Sequence, residues 1–241
     1  MNGGDYRDVA FLHPVALDAR AAQWLGLPGL ISPTLPGHGQ RYPRSALSLD
    51  DMADEIAGWT SGPLHLVGCS MGGMVAMRFA LRHPERTASL LLCSTTARVA
   101  RAGMLDRAAR TDRQGAQALA QSTMDRWFSA TALAGAALAD PVQYAYDQLR
   151  GTPTQVLSAA WRAIAEHDVL DQLSVLGGIP ATCLAGRNDA STPLAAMEAT
   201  ANAIPGARLV VTDDPHMGFL ESPTDFSARL IEHLAWAGRT A

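Results

Sequence analysis

Short apolar runs alternate along this chain with longer stretches in which apolar residues recur at helical spacing. Val9-Ala10-Phe11-Leu12 is the first run, too short for a helix and apolar throughout, as a strand buried on both faces should be. Residues 64–67, 89–93, 181–185 and 208–212 repeat the pattern, and Leu30-Ile31 is a shorter candidate. Helical segments are predicted over about residues 18–25, from Ser48 onward, over 71–83 and over 223–236. Ser48 has Asp51 three residues on, close to a capping box, and Pro84 stops the 71–83 helix. Strand–helix alternation of this kind builds a mostly parallel sheet of about six strands covered by helices, an α/β class.

The alternation breaks after Ser94. From about 97 to 176 there are Ala-, Arg- and Gln-rich helical segments punctuated by Pro141 and by Gly151-Thr152-Pro153, without a convincing strand. Strand–helix rhythm then resumes at Ala181. Residues 1–96 and 177–241 therefore read as one sheet domain, and 97–176 as a helical cap inserted into it. The alternative is that the insertion only lengthens the helical layer. There are no repeats and no low-complexity linkers.

Composition narrows the function classes. A chain of 241 residues, 48% hydrophobic and 17% charged, can bury one large core. The net charge of -4 and the lack of like-charge runs argue against nucleic acid or a membrane surface as partner and leave a small-molecule substrate. All 19 basic residues are arginines, which removes a Schiff-base lysine and a P-loop lysine together. Cys69, Cys93 and Cys183 sit in or beside apolar runs and read as buried, reduced thiols of a cytoplasmic protein. Met1-Asn2-Gly3-Gly4-Asp5 lacks the basic start of a signal peptide, and no apolar segment approaches membrane-spanning length. Neither metal-ligand spacing nor a dinucleotide fingerprint is present, so no metal and no cofactor are expected.

Gly68-Cys69-Ser70-Met71-Gly72-Gly73 carries the chemistry. It joins the 64–67 strand directly to the 71–83 helix, the setting in which a G-x-S-x-G string acts as a nucleophile elbow. A strand turning at once into a helix strains its pivot residue, and only small neighbours such as Gly68 and Gly72 allow the close approach. Ser70 then projects at the positive end of a helix, where developing negative charge is favoured. Cys69, one residue before the pivot, should point back into the sheet as a small apolar side chain.

A serine needs a base, and the base an orienter. Asp189 directly follows the 181–185 strand and His216 the 208–212 strand. Both therefore sit on the same carboxyl edge of the sheet as Ser70, in the chain order Ser, Asp, His of this architecture. His65, His83 and His233 lie within a strand or on helices, while His13 and His38 are loop residues expected to bond their own turns. His167, at the cap hinge, is the rival base, and Asp213 and Asp214 are rival orienters too close to His216 along the chain. Met71 N–H is one candidate oxyanion donor and Val15 N–H, after the first strand, the other.

With these residues in place the chain resembles the α/β-hydrolase superfamily over nearly its whole length, and within it the 3-oxoadipate enol-lactonase group. The superfamily resemblance rests on Leu35-Pro36-Gly37-His38-Gly39, the Ser70 motif, Gly186-Arg187-Asn188-Asp189 with Pro193, and His216. The narrower one rests on Met124-Asp125-Arg126-Trp127-Phe128, the stretch around Asp168, Ile204-Pro205-Gly206-Ala207-Arg208, and His216-Met217 with Leu220-Glu221-Ser222-Pro223. It implies a cofactor-free serine hydrolase with Ser70 as nucleophile, Asp189 as orienter, His216 as base, and Val15 and Met71 as oxyanion donors. The implied substrate is a small lactone bearing a carboxylate, which Arg126 or Arg187 could hold, with Trp127 lining the pocket. A general carboxylesterase, another lactonase and a non-catalytic binder on the same fold are the alternatives. Two features depart from the family: His13-Pro14 stands where His-Gly is usual, and only eight residues precede Val9, which predicts a shortened N-terminal sheet.

Overall fold

The computed structural model describes residues 6–41, 47–59, 61–135 and 139–240; the Met1–Asp5 stretch lies outside them. Five strands, β1 (Val9–Leu12), β2 (Leu64–Cys69), β3 (Thr87–Cys93), β4 (Ala181–Gly186) and β5 (Arg208–Thr212), pair in that order, all parallel. Leu30-Ile31 forms no sixth strand. Ile31 makes one parallel bridge to Ala10, between a Gly29 at φ 86° and Pro33, which leave no room for a longer ladder. The short stretch before Val9 predicted a shortened sheet of about six strands, and among the described residues it has five.

Helices α1 (Leu49–Ala57) and α2 (Met71–Arg82) follow the pattern closely. The Ser48 hydroxyl accepts from the N–H groups of Asp50 and Asp51, satisfying two of the unpaired donors at the start of α1. The 18–25 segment is a tighter 3₁₀ helix (Ala19–Leu25) capped by the Asp18 carboxylate. Between β3 and β4 lie α3 (Arg101–Gln114), α4 (Ala116–Trp127), α5 (Ala130–Ala134), α6 (Ala139–Gly151), α7 (Thr154–Ala165) and a 3₁₀ turn (Leu170–Leu176). Within this insertion α3 packs along α7, and α4 along α6. The chain closes with α8 (Leu194–Ala203), α9 (Gly218–Glu221) and α10 (Pro223–Thr240). Among the described residues no helix is long and apolar enough to cross a membrane.

The core sits on both faces of β1–β4, whose residues are almost all buried. Phe11 of β1 meets Phe219 of α9 at 5.2 Å and Phe226 of α10 edge-on at 6.4 Å. Each such pair adds about 0.5–1.5 kcal/mol beyond area burial and fixes the segment after His216 against the sheet.

Besides His216, four histidines are buried in this frame. Burial pushes His13 and His167 down to about 3, and His38 and His233 to about 4, with neighbouring cationic or ring groups adding to the effect for His13, His167 and His233. The unfolded chain takes up these protons near 6.5 and the folded one does not until pH 3–4. The stabilisation is therefore complete above about pH 6.5 and lost progressively as pH falls towards 4, with a limiting slope of about 1.4 kcal/mol per pH unit per ring. Urea unfolding should give a stability that is flat from pH 7 to 8.5 and drops by several kcal/mol by pH 5. A level profile down to pH 5 would contradict this reading.

Candidate active site

β2 ends at Cys69 and α2 begins at Met71, so one residue makes the whole turn. Ser70 has φ 53° and ψ -118°, a conformation that costs on the order of 1–3 kcal/mol for a side chain with Cβ. Its surroundings hold it there: Ser70 N–H donates to the Cys93 carbonyl at 2.9 Å, and the Thr95 hydroxyl donates to the Ser70 carbonyl at 2.7 Å. A Cβ on Gly68 would lie 2.5 Å from the Gly72 carbonyl oxygen, and one on Gly72 would lie 2.0 Å from that of Leu12. Both positions are therefore closed to any larger residue.

The three residues singled out in the sequence meet at this turn. His216 Nε2 lies 3.0 Å from Ser70 Oγ, and His216 Nδ1 lies 2.9 Å from both carboxylate oxygens of Asp189. Asp189 Oδ1 also accepts from the N–H groups of Ser191 (2.8 Å) and Thr192 (2.7 Å). Burial alone would raise the Asp189 carboxyl, but the His216 ring beside it and these hydrogen bonds hold it below the ordinary carboxylate range. An ionised Asp189 keeps the proton on Nδ1 and leaves Nε2 bare toward the serine.

Val15, buried to 2% exposure, lines the same cavity as Ser70 and His216. Among the described residues neither Val15 N–H nor Met71 N–H donates a hydrogen bond within the protein. The unusual Pro14 is accommodated by His13, whose Nδ1–H donates to the Pro14 carbonyl while Nε2 accepts from Leu35 N–H. Ala16 follows Val15 at φ 66°, a second strained backbone position, next to a residue that lines the cavity.

The rival residues are occupied elsewhere. His167 is fully buried, accepting from Arg78 Nε at 3.2 Å and donating to the Thr96 carbonyl at 3.0 Å, so both ring nitrogens are used in joining the insertion to α2. Asp213 faces Arg187 at 3.6 Å, at the surface. Cys69 and Cys93 lie side by side at the ends of β2 and β3, buried. Burial and the neighbouring thiol raise Cys93 well above its ordinary value, and burial pushes Cys183 up to about 12.

The cavity over Ser70 holds about 290 Å³ and is mainly apolar. Its roof comes from the helical insertion, through Val99, Met104, Arg107, Trp127 and Trp161. The Trp127 ring lies 6.3 Å from that of His216, and the Trp127 carbonyl accepts from Met217 N–H at 2.9 Å. Glu221 reinforces the junction by accepting from both the N–H and the hydroxyl of Ser129.

The two arginines expected to hold a substrate carboxylate are not at this cavity. Arg187 is exposed on the Asp213 side of its loop, and Arg126 lines a separate cavity within the insertion. The arginines that do reach the Ser70 cavity are Arg98, ion-paired with Asp168 (2.9 Å) and Asp171 (2.7 Å), and Arg107. Arg107 had one available signal: at helical spacing it shares a face of α3 with Met104, Ala108 and Thr111, where an arginine stands out.

Comparison with known proteins is consistent with this geometry. The alpha/beta hydrolase family pattern matches residues 2–229. A pimeloyl-[acyl-carrier protein] methyl ester esterase of Chromobacterium violaceum is 30% identical over 248 residues, covering 96% of this chain and 95% of that protein. 3-oxoadipate enol-lactonase 1 of Acinetobacter baylyi is 28% identical over 203 residues, covering 79% and 72%. A thermophilic esterase from Thermogutta terrifontis, solved with malate bound, superposes with a TM-score of 0.85 at 28% identity, over 95% of this chain and 89% of that one.

Proposed function

This chain belongs to the alpha/beta hydrolase family and is a hydrolase of carboxylic esters, and on that premise we propose that it cleaves compact esters or lactones whose acyl part carries a free carboxylate, through an acyl-enzyme on Ser70. The observation that carries the reading is the continuous contact from Asp189 through His216 to Ser70 Oγ at 2.9 and 3.0 Å, opening on a cavity of about 290 Å³. That volume is at the lower edge of the roughly 300–1,000 Å³ usual for ligand pockets, so the acyl group must be short. Residues 97–176 act as a cap that sets this limit. The names of the relatives share a theme, since 3-oxoadipate enol-lactone and a pimeloyl-[acyl-carrier protein] methyl ester are both esters of a dicarboxylic skeleton, the first with its other carboxyl free and the second with it joined to the carrier.

In this reading Ser70 Oγ attacks the ester carbonyl as His216 Nε2 takes its proton. The carbonyl oxygen becomes an oxyanion that accepts from Val15 N–H and Met71 N–H, at the positive end of α2. The tetrahedral centre collapses, the C–O bond to the alcohol breaks, and His216 returns its proton to the leaving oxygen. For an enol-lactone the released enol becomes a ketone, which makes it a good leaving group. Water then gives a proton to His216 and attacks the acyl carbonyl, releasing the acid and restoring Ser70. An open-chain methyl ester passes through the same steps with methanol as leaving group.

The test compares kcat/KM for 3-oxoadipate enol-lactone, its methyl ester, and short and long p-nitrophenyl esters. The acid lactone should exceed its methyl ester by about tenfold or more, the usual worth of a charge-assisted contact. Long-chain esters should be turned over least. Preference for neutral or long-chain esters would remove the substrate class while leaving the ester hydrolase.

A further inference from the structure

A second cavity, of about 180 Å³, lies among the helices of the insertion and shares two lining residues with the Ser70 cavity. Arg107 and Trp161 line both, with the Arg107 guanidinium carbon 5.5 Å from the centre of the Trp161 ring. Arg110 from α3 and Arg126 from α4 complete a triad of guanidinium groups around the second space. Ester cleavage as derived above uses none of it.

The charges of this triad are unbalanced. Among the described residues no carboxylate lies within ion-pair distance of Arg107, Arg110 or Arg126, although Arg98 and Arg162 on neighbouring elements are each ion-paired. Arg126 donates to the Ser122 carbonyl at 2.7 Å and to the Thr123 hydroxyl at 3.2 Å, while its Nε–H is buried with no acceptor. Arg107 and Arg126 are both held below the ordinary guanidinium range, by burial first and then by the other arginines of the triad; Asp125 opposes this only from a distance. Partly buried like charges with an unfilled donor are unfavourable alone and favourable around an anion.

We propose that this cavity is an anion subsite that receives the substrate's free carboxylate, with Arg107 as the specificity-determining residue where the two cavities meet. The inference rests on the ester-hydrolase reading of Ser70 and assigns the charged end of the substrate to named residues. The acyl chain would run from Ser70 beneath the apolar roof, past Trp161, with its carboxylate meeting Arg107 and then Arg126. A planar carboxylate matches the two-pronged donor geometry of an arginine, whereas the hydroxyls of Ser122 and Thr123 already donate to the Leu119 carbonyl.

Two measurements separate this proposal from the function on which it rests. The first is the ratio of kcat/KM for monomethyl adipate to that for dimethyl adipate, which differ only in the free carboxylate. The wild-type ratio should be about tenfold or more. Arg107→Gln and Arg126→Gln should each lower it towards unity, chiefly through KM of the monoester. Arg110→Gln, at an exposed position, should lower it less, and urea midpoints close to wild type in all three variants guard against a folding defect. The second is calorimetric binding of adipate and of hexanoate to the Ser70→Ala protein. Adipate should bind at least about tenfold more tightly, and Arg126→Gln should erase the difference. A wild-type ratio near unity together with equal binding of the two acids overturns the subsite while leaving the esterase intact. Selective, arginine-dependent adipate binding in a protein that cleaves neither ester supports the subsite and overturns the esterase reading instead.

Discussion

Ser70→Ala should lower kcat on a p-nitrophenyl ester by roughly 10,000- to 1,000,000-fold, and His216→Ala by a comparable factor. The expectation follows from the shared proton: with Oγ gone His216 has nothing to deprotonate, and with the ring gone Oγ stays a neutral, weak nucleophile. The double variant should be little worse than either single one, because the pair acts as a unit. The Ser70→Ala variant should also resist labelling by a serine-directed phosphonate. Its stability should stay near wild type, since alanine inherits the same strained backbone at φ 53° and the bonds that hold it, Ser70 N–H to Cys93 and Thr95 to the Ser70 carbonyl, use only backbone atoms of residue 70. Near-native turnover by either single variant would sink the mechanism.

Gly72→Ala should destabilise the protein by about 3 kcal/mol, the upper part of the range for overpacking a close contact, and should lower kcat as well. In a helix the substitution by itself favours alanine by up to about 1 kcal/mol, so the sign depends on space. The added Cβ would sit 2.0 Å from the Leu12 carbonyl oxygen, 2.5 Å from the Leu12 carbonyl carbon and 2.9 Å from the His13 carbonyl oxygen. All three are backbone atoms, so no rotamer change relieves the contact; α2 and the end of β1 must separate. That moves Val15 relative to Ser70, which couples the packing defect to oxyanion stabilisation. Gly103→Ala in α3 is the control: nothing lies within 4 Å of its added Cβ, and it should stabilise by about 0.5–1 kcal/mol. Urea midpoints of the two variants, shifted in opposite directions, would bear this out. A Gly72→Ala protein as stable as wild type would show that the two backbones are less closely packed than described.

The residues expected to form the catalytic core were readable because their positions are dictated by chain-local rules. Gly68, Ser70 and Gly72 must fall where a strand becomes a helix, Asp189 follows the buried strand β4, and His216 follows β5, a half-exposed edge strand that is still apolar at Leu209, Val210 and Val211. Parallel pairing then brings all three strand ends to one edge without further information. The helical character of residues 97–176 was equally visible, in composition and in the lack of alternating runs. Leu30-Ile31 marks the edge of this kind of reading. Two apolar residues satisfy the strand pattern, but whether they extend a sheet depends on the turns around them, and Gly29 and Pro33 limit them to a single bridge.

What the sequence determined by itself is the fold class, the serine motif and the order of its partners, since each follows from backbone periodicity and from residue types confined to particular turns. What only the tertiary structure decided is which arginines border the Ser70 cavity. Arg126 and Arg187 were drawn from motifs beside the presumed site, yet Arg187 turns to Asp213 at the surface and Arg126 reaches a neighbouring cavity. Arg107, in no motif at all, borders both spaces. The physical reason is that helices of the insertion meet through side-chain packing, α3 against α7 and α4 against α6. The direction of a long arginine side chain across such an interface is set by the partner helix, which for α3 (Arg101–Gln114) is α7 (Thr154–Ala165), far along the chain and without trace in local spacing.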